Sequence, residues 1–374
     1  MNPSLREGEL GPAPLPSPPS AFLVRALLAL RRAILGIADA IAPPELGIFD
    51  RVNGVAKTAL LGFVARAGVA DLLRSGPLSA EEIARRLDTQ PDATFRVLRG
   101  LATDGVFQML EDGRFGNNRL SLALRSSNIA QMRAWVEYFS SRSNMTAWMD
   151  VAGTLHTGRN AFDRAYGKSV WDYFEDHPDE RETFALAMMG RTVGQAPIIA
   201  TLYPFREVGR VCDVGGGRGT LMSEILIRHP HLTGVLCDAA GVLESARSLL
   251  ESRGVGSRIE LVPGNFFEAV PPGCDAYVLK NVLHDWDDAL CGQILQVCRA
   301  TMPGNARLLV AETLVERLQT SGMGPLSDMQ MMVACREGRE RSREDFTQLL
   351  ERAGFAVQRV FEHPVISVVE ARTD

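Results

Sequence analysis

Apolar positions recur every three to four residues through the first half of this chain, the period of a helix with one buried face. Residues 21–41 carry such a stripe, and so do residues 56–73, which end before Gly76-Pro77. Ser79-Ala-Glu-Glu82 has the spacing of a capping box and predicts a helix start before the run 83–87. A second short helix is expected over 92–101. Residues 106–110 and 114–116, separated by Glu111-Asp-Gly113, predict a small hairpin. Together these elements form a winged-helix-like unit. Residues 130–200 continue as helix, punctuated by Trp135, Tyr138, Phe139, Trp148, Trp171, Tyr173 and Phe174.

The pattern changes near residue 205. Short β-branched runs at 208–214, 234–237, 259–262, 276–280 and 307–312 alternate with helical patterns at 221–228, 242–253, 287–302 and 343–353. Segments 355–360 and 365–369 close the chain as a hairpin. Such alternation predicts an α/β fold, a doubly wound and mostly parallel sheet with a closing antiparallel hairpin. Three parts are expected: a Pro-rich, disordered tail over 1–20, a helical winged-helix-like domain over 21–195, and an α/β domain over 196–374. In open parallel sheets ligands bind beyond the carboxyl ends of the strands. Asp213, Asp238, Asn265, His284 and Glu312 all fall at or just past such an end, so they gather on one edge.

Charge and composition narrow the function classes. The net charge is −5, which argues against a nucleic-acid partner. The presumed recognition helix has Arg96 and Arg99, but also Phe95, Val97, Leu98 and Leu101, so a structural module is the expected role. The stretch 21–41 contains Arg25, Arg31, Arg32 and Asp39, each costly in a bilayer. It predicts an amphipathic helix packed on a partner, and no membrane contact. The six cysteines show no C-x-x-C pairing, and a reducing cytoplasm is expected.

The chemistry is concentrated on the sheet edge. Asp213-Val-Gly-Gly-Gly-Arg-Gly-Thr220 links a strand to a helix start, and Gly215, Gly217 and Gly219 let a ligand approach the backbone. Its G-x-G-x-G spacing differs from the dinucleotide fingerprint. Asp238, 25 residues later, can accept from both ribose hydroxyls, an arrangement that serves NAD and adenosyl cofactors alike. Gly264-Asn-Phe-Phe267 offers a polar side chain beside an aromatic, suited to the edge and face of an adenine, or else a simple turn. His284 follows the fourth strand and suits general-base work near neutral pH. Glu312 and Glu340 can flank that imidazole and stabilise it once protonated, although acids in the Arg-rich stretch 336–341 also make surface ion pairs. Asp285, Asp287 and Asp288 could hold a metal, but acids at a helix start compensate its dipole without one, and no metal is expected. Met329, Met331 and Met332 form an apolar strip, either a slot for a planar substrate or helix core.

Taken in order, Asp213-Val-Gly-Gly-Gly, Asp238, Gly264-Asn-Phe-Phe267, Lys280, His284-Asp-Trp286, Glu312, Gly338-Arg-Glu-Arg341 and Ala353-Gly-Phe355 resemble one family. It is the S-adenosylmethionine-dependent O-methyltransferases, which include plant caffeate, acetylserotonin and bacterial polyketide-tailoring enzymes. The resemblance covers about residues 45–370. It implies a dimerisation domain followed by a catalytic domain, a homodimer, and S-adenosyl-L-methionine as cofactor. It also implies contacts from Gly215 and Asp238 to that cofactor, Phe266 on the adenine, and Lys280 and Thr192 nearby. His284 would be the base, with Glu312 and Glu340 beside it. Met188 and Met331 would match walls of the substrate site, with Asp285 grouped among them. The expected acceptor is a hydroxyl of a small aromatic, phenolic or polyketide-like metabolite. Many members have Asp where this chain has Asn265. An NAD-dependent oxidoreductase, a member that keeps the cofactor without methyl transfer, and a winged-helix regulator are the alternatives.

Overall fold

The computed structural model describes residues 10–373. Seven strands make the central sheet: β3 (Arg210–Val214), β4 (Thr233–Asp238), β5 (Ile259–Pro263), β6 (Ala276–Lys280), β7 (Arg307–Glu312), β8 (Phe355–Phe361) and β9 (Ser367–Thr373). Their order is β5-β4-β3-β6-β7-β9-β8. The pairs among β3 to β7 are parallel, while β9 runs antiparallel to both β7 and β8. This is the expected doubly wound sheet with its closing hairpin. The strand boundaries shift most at the first and the last strand. Residues 205–207 form a helical turn that delays β3 to Arg210, and the last strand begins at Ser367 and runs on to Thr373.

Alternation along the strands fills both faces. Cys212, Val214, Tyr277 and Leu279 pack under the helices Asp288–Thr301 and Arg343–Arg352. Val211, Leu236 and Val278 pack under Thr220–Arg228 and Ala240–Ser252 on the other face. The 25-residue helix Pro178–Leu202 joins the second face and also packs on Met132–Phe139 of the helical half. The expected division at 195/196 therefore falls inside one helix.

In the helical half, the capping box closes as predicted: Ser79 accepts from Glu82 N–H, and the Glu82 carboxylate accepts from Ser79 N–H. The hairpin is β1 (Gln108–Met109) with β2 (Phe115–Gly116). The single helix expected over 56–73 is broken. Gly54–Arg66 ends and Val69–Leu72 begins across Gly68, whose φ of 66° a helix interior cannot accommodate. The aromatics of 130–200 are mostly core: Tyr138, Phe162, Tyr173 and Phe174 are buried together. Ala21–Ile41 is one helix, capped by Ser20, with none of its residues buried. Phe22, Leu27, Leu30, Ile34, Ile37 and Ile41 stand exposed along it.

The Pro-rich tail is corrected over its described part, residues 10–20; residues 1–9 lie outside the described residues. Leu10 and Leu15 are buried against Val193 and Leu249. The strap is fastened by a buried charge cluster. Arg253 donates to the carbonyls of Gly11 and Ala13 at 2.7 and 2.6 Å, and Arg228 donates to Leu15 O at 2.6 Å. Leu15 N–H returns a bond to Glu224, which also pairs with Arg253 at 2.5 Å. Glu224 and Arg253 are both almost wholly buried. No described helix is long and apolar enough to cross a membrane.

Candidate active site

The parallel strands end together on one edge, and the loops beyond them carry the expected residues. Gly215, Gly217 and Gly219 all have positive φ, so the loop after β3 folds tightly before the helix at Thr220. A Cβ on Gly215 would meet Val282 at 3.0 Å and Phe266 at 3.5 Å, which makes this a close approach between three loops. Gly217 N–H donates to Asp238 Oδ2 at 2.8 Å, and Ala239 N–H donates to Oδ1 at 2.7 Å. Asp238 therefore fixes the loop while it stands at the end of β4. Burial raises its carboxyl above the usual range, against the pull of those two N–H groups. Gly264 N–H donates to Asp238 O, tying the loop after β5 to the same point.

Asp213 is buried, and its Oδ2 has no partner among the described residues. Burial pushes its carboxyl up to about 7, against the nearby Lys280 ammonium. Lys280 donates to Thr192 Oγ1 at 2.7 Å, pinning the helix Pro178–Leu202 over the end of β6. Burial and the charge of Arg191 pull that ammonium down to about 7. Asn265 is engaged in its own turn: its oxygen accepts from Phe267 N–H and its nitrogen donates to Glu268. It meets a ligand only through what that turn leaves. Phe266 and Phe267 pack with Trp286, which stacks on Trp171 from the helical half.

His284 lies in a short turn after β6, 4% exposed, within reach of three carboxylates. Its Nδ1 is 3.3 Å from Glu340 Oε1 and 3.5 Å from Glu312 Oε2, and its Nε2 is 3.5 Å from Asp285 Oδ1. Burial alone pulls the imidazole pKa down, but Glu312, Asp285 and Glu340 outweigh it and raise it to about 9. Burial lifts the Glu312 carboxyl to about 7. Glu340 is lowered despite burial, because His284, Ser327 and Arg191 favour its charged form. Glu312 accepts from Val282 and Leu283 N–H, each at 3.0 Å, so it holds the turn as well as the ring. One ligand atom from each of His284, Glu312 and Glu340 lies within 4.8 Å of the others, a spacing compatible with a metal ion.

Of the other aspartates, Asp287 caps the helix Asp288–Thr301 and Asp288 is held by Arg339 and Arg341. These two stabilise a helix start, as the dipole argument anticipated. Met188 is half-buried, and its carbonyl accepts from Thr192; Met331 is buried beside Ala334 and Cys335.

Two further residues border this site and were not among its candidates. Arg341 sits in a stretch that reads as solvated surface, yet it is 1% exposed. It donates to Leu283 O at 2.7 Å and Trp286 O at 2.9 Å, clamping the turn that carries His284. Gly338 makes this possible: a Cβ there would sit 2.7 Å from His284 O. Arg191, adjoining Thr192, reaches Glu340 Oε1 at 3.9 Å and Thr313 Oγ1 at 3.5 Å. Arg341 closes the Gly338-Arg-Glu-Arg341 motif, a signal that could have singled it out; no spacing rule marks Arg191.

Comparison with known proteins places this edge in context. An O-methyltransferase domain model matches residues 148–356, and an O-methyltransferase dimerisation domain model matches residues 45–127. The chain is 35% identical over 320 residues to a mitomycin biosynthesis 6-O-methyltransferase of Streptomyces lavendulae, covering 85% of this chain and 91% of that one. The solved structure of LaPhzM superposes with a TM-score of 0.86 at 34% identity, covering 89% of this chain and all of the other. An O-methyltransferase from neocarzinostatin biosynthesis, NcsB1, solved with S-adenosylmethionine and 2-hydroxy-5-methyl naphthoic acid, gives 0.75 at 30% identity, covering 85% and 96%.

Proposed function

This chain belongs to the S-adenosylmethionine-dependent O-methyltransferases, and from that membership we propose that it methylates a hydroxyl of a small aromatic metabolite with His284 as general base. The observation that carries this reading is the buried imidazole whose Nδ1 faces both Glu312 and Glu340, on the same sheet edge as the glycine loop.

The residues fit the cofactor. Asp213 has a buried oxygen with no partner among the described residues beside the loop, and the position a Cβ on Gly217 would take is open space. Gly215, Gly217 and Gly264 would present backbone to it, Asp238 its ribose acceptor, and Phe266 an aromatic face; Asn265, Thr192 and Lys280 border the same loops. When bound, the cofactor supplies an electrophilic methyl group on a sulfonium. A phenol with pKa near ~10 is mostly neutral at pH 7. His284 accepts its proton as the oxygen becomes nucleophilic, a role worth ~10²–10⁴ in rate. Glu340 and Glu312 stabilise the resulting imidazolium, and Arg341 holds the turn so that the ring stays aimed. Trp286, Phe266 and Phe267 exclude water from this edge, and Met188, Met331 and Asp285 face the acceptor.

The proposal includes no metal, since an activated methyl needs no Lewis acid. The test is a panel of phenolic acceptors with labelled S-adenosylmethionine, read by product mass with and without a chelator. One acceptor should gain a single methyl group at the same rate in both. Turnover abolished by the chelator would assign the His284–Glu312–Glu340 cluster to a metal instead. A protein that binds the cofactor yet methylates nothing in the panel would favour the non-transferring alternative.

A homodimer is part of the same proposal. The dimerisation-domain match adjoins the exposed apolar stripe of Ala21–Ile41 and Pro44–Val52, a face too large and apolar to be left in water. Sedimentation should give twice the mass of one chain; a monomer across the accessible concentration range would remove it.

A further inference from the structure

Arg191 is the polar residue of this edge that the mechanism leaves without a role. It lies on the helix Pro178–Leu202, and its side chain is 18% exposed. Among the described residues its polar contacts are both long: 3.5 Å to Thr313 Oγ1 and 3.9 Å to Glu340 Oε1. A guanidinium carries five N–H donors in a planar fork. Most of these donors are unused, beside the buried base and open enough to meet a ligand.

Strand order says where along the edge Arg191 stands. Asp238 and the glycine loop stand at the ends of β4 and β3, His284 follows β6, and Thr313 follows β7. Arg191 therefore meets the edge on the side of His284 away from the ribose acceptor. Met188, three residues earlier, lies on the same helix face. A ring with its hydroxyl at His284 would extend beneath both.

We propose that Arg191 reads a carboxylate on the acceptor, so that the preferred substrate class is the hydroxylated aromatic acid. The inference rests on the O-methyltransferase reading above and deepens it. A planar fork matches a carboxylate through two parallel hydrogen bonds, which fixes the ring's orientation as well as its charge. The cofactor's own amino-acid carboxylate is the other source of the same chemistry, and the experiment separates the two.

Calorimetric titration with 1-hydroxy-2-naphthoic acid and with 1-naphthol, in the presence of S-adenosylhomocysteine, tests the assignment. The wild type should bind the acid about ten- to a hundredfold more tightly than the naphthol. Arg191→Met should erase that preference, and Arg191→Lys should keep part of it. Affinity for S-adenosylhomocysteine should stay within about threefold in both variants. Three results would overturn the proposal: no preference in the wild type, an equal loss for acid and naphthol in the variants, or a loss confined to S-adenosylhomocysteine. The last would assign Arg191 to the cofactor. A failure of O-methyl transfer itself would appear in the acceptor panel and not in these titrations.

Discussion

Replacing His284 with alanine lowers turnover by about two to four orders of magnitude and leaves S-adenosylhomocysteine binding intact. The imidazole is 4% exposed and touches carboxylates, while the glycine loop, Asp238 and Gly264 are tied together without it. On the proposed reading, removing the ring deletes the proton acceptor and leaves in place the loops proposed to hold the cofactor. Single-turnover rates beside calorimetric affinity would separate the two effects. An unchanged rate would refute the base assignment, and a matching collapse of affinity would make His284 a cofactor residue.

Replacing Arg253 with alanine costs ~3–5 kcal/mol of stability, the penalty for leaving a buried charge without its partner. Arg253 and Glu224 are 2% and 0% exposed, so solvent offers Glu224 little compensation. The variant also loses both bonds to the strap, at Gly11 O and Ala13 O, so residues 10–15 should detach and become open to protease. The paired change Glu224→Met with Arg253→Met should recover part of the loss, because it removes both charges together. Denaturant unfolding of the three proteins would decide. A loss under about 1 kcal/mol in the single variant would mean that Arg228 alone satisfies Glu224.

The sheet, its strand ends and most of the candidate site were legible because they follow from short-range rules. Periodicity assigned the strands, and the carboxyl-edge rule then gathered Asp213, Asp238, His284 and Glu312 without any contact being known. What stayed hidden depends on residues far apart in sequence. Leu10 and Leu15 have no local reason to be ordered; their site is built from Val193, Glu224, Leu249 and Arg253. Arg341 reads as surface because its neighbours Arg336 and Arg339 are surface, and only the fold turns it toward Leu283 and Trp286. Asn265 reads equally as a ligand contact or as a turn, and the structure shows the turn, its oxygen accepting from Phe267 N–H. Gly68 sat in an unbroken apolar pattern, and only its left-handed backbone marks the break.

The charge around His284 also sets the sign of its pH response. Its pKa is raised to about 9 in the folded protein against the ordinary ~6.5. The folded state thus favours the imidazolium: that stabilisation is full below about 6.5 and is lost as pH rises through about 9. Catalysis with His284 as the proposed base would run the opposite way, because only the neutral ring accepts a proton. The most direct test of His284 as base is the pH profile of kcat/KM in the wild type and in His284→Ala. The account predicts a wild-type rate that climbs with pH and levels near 9. In the variant the rate is lower throughout, with no bend there, and rises on toward the acceptor's own pKa near ~10. The same bend at the same pH in both proteins would contradict it.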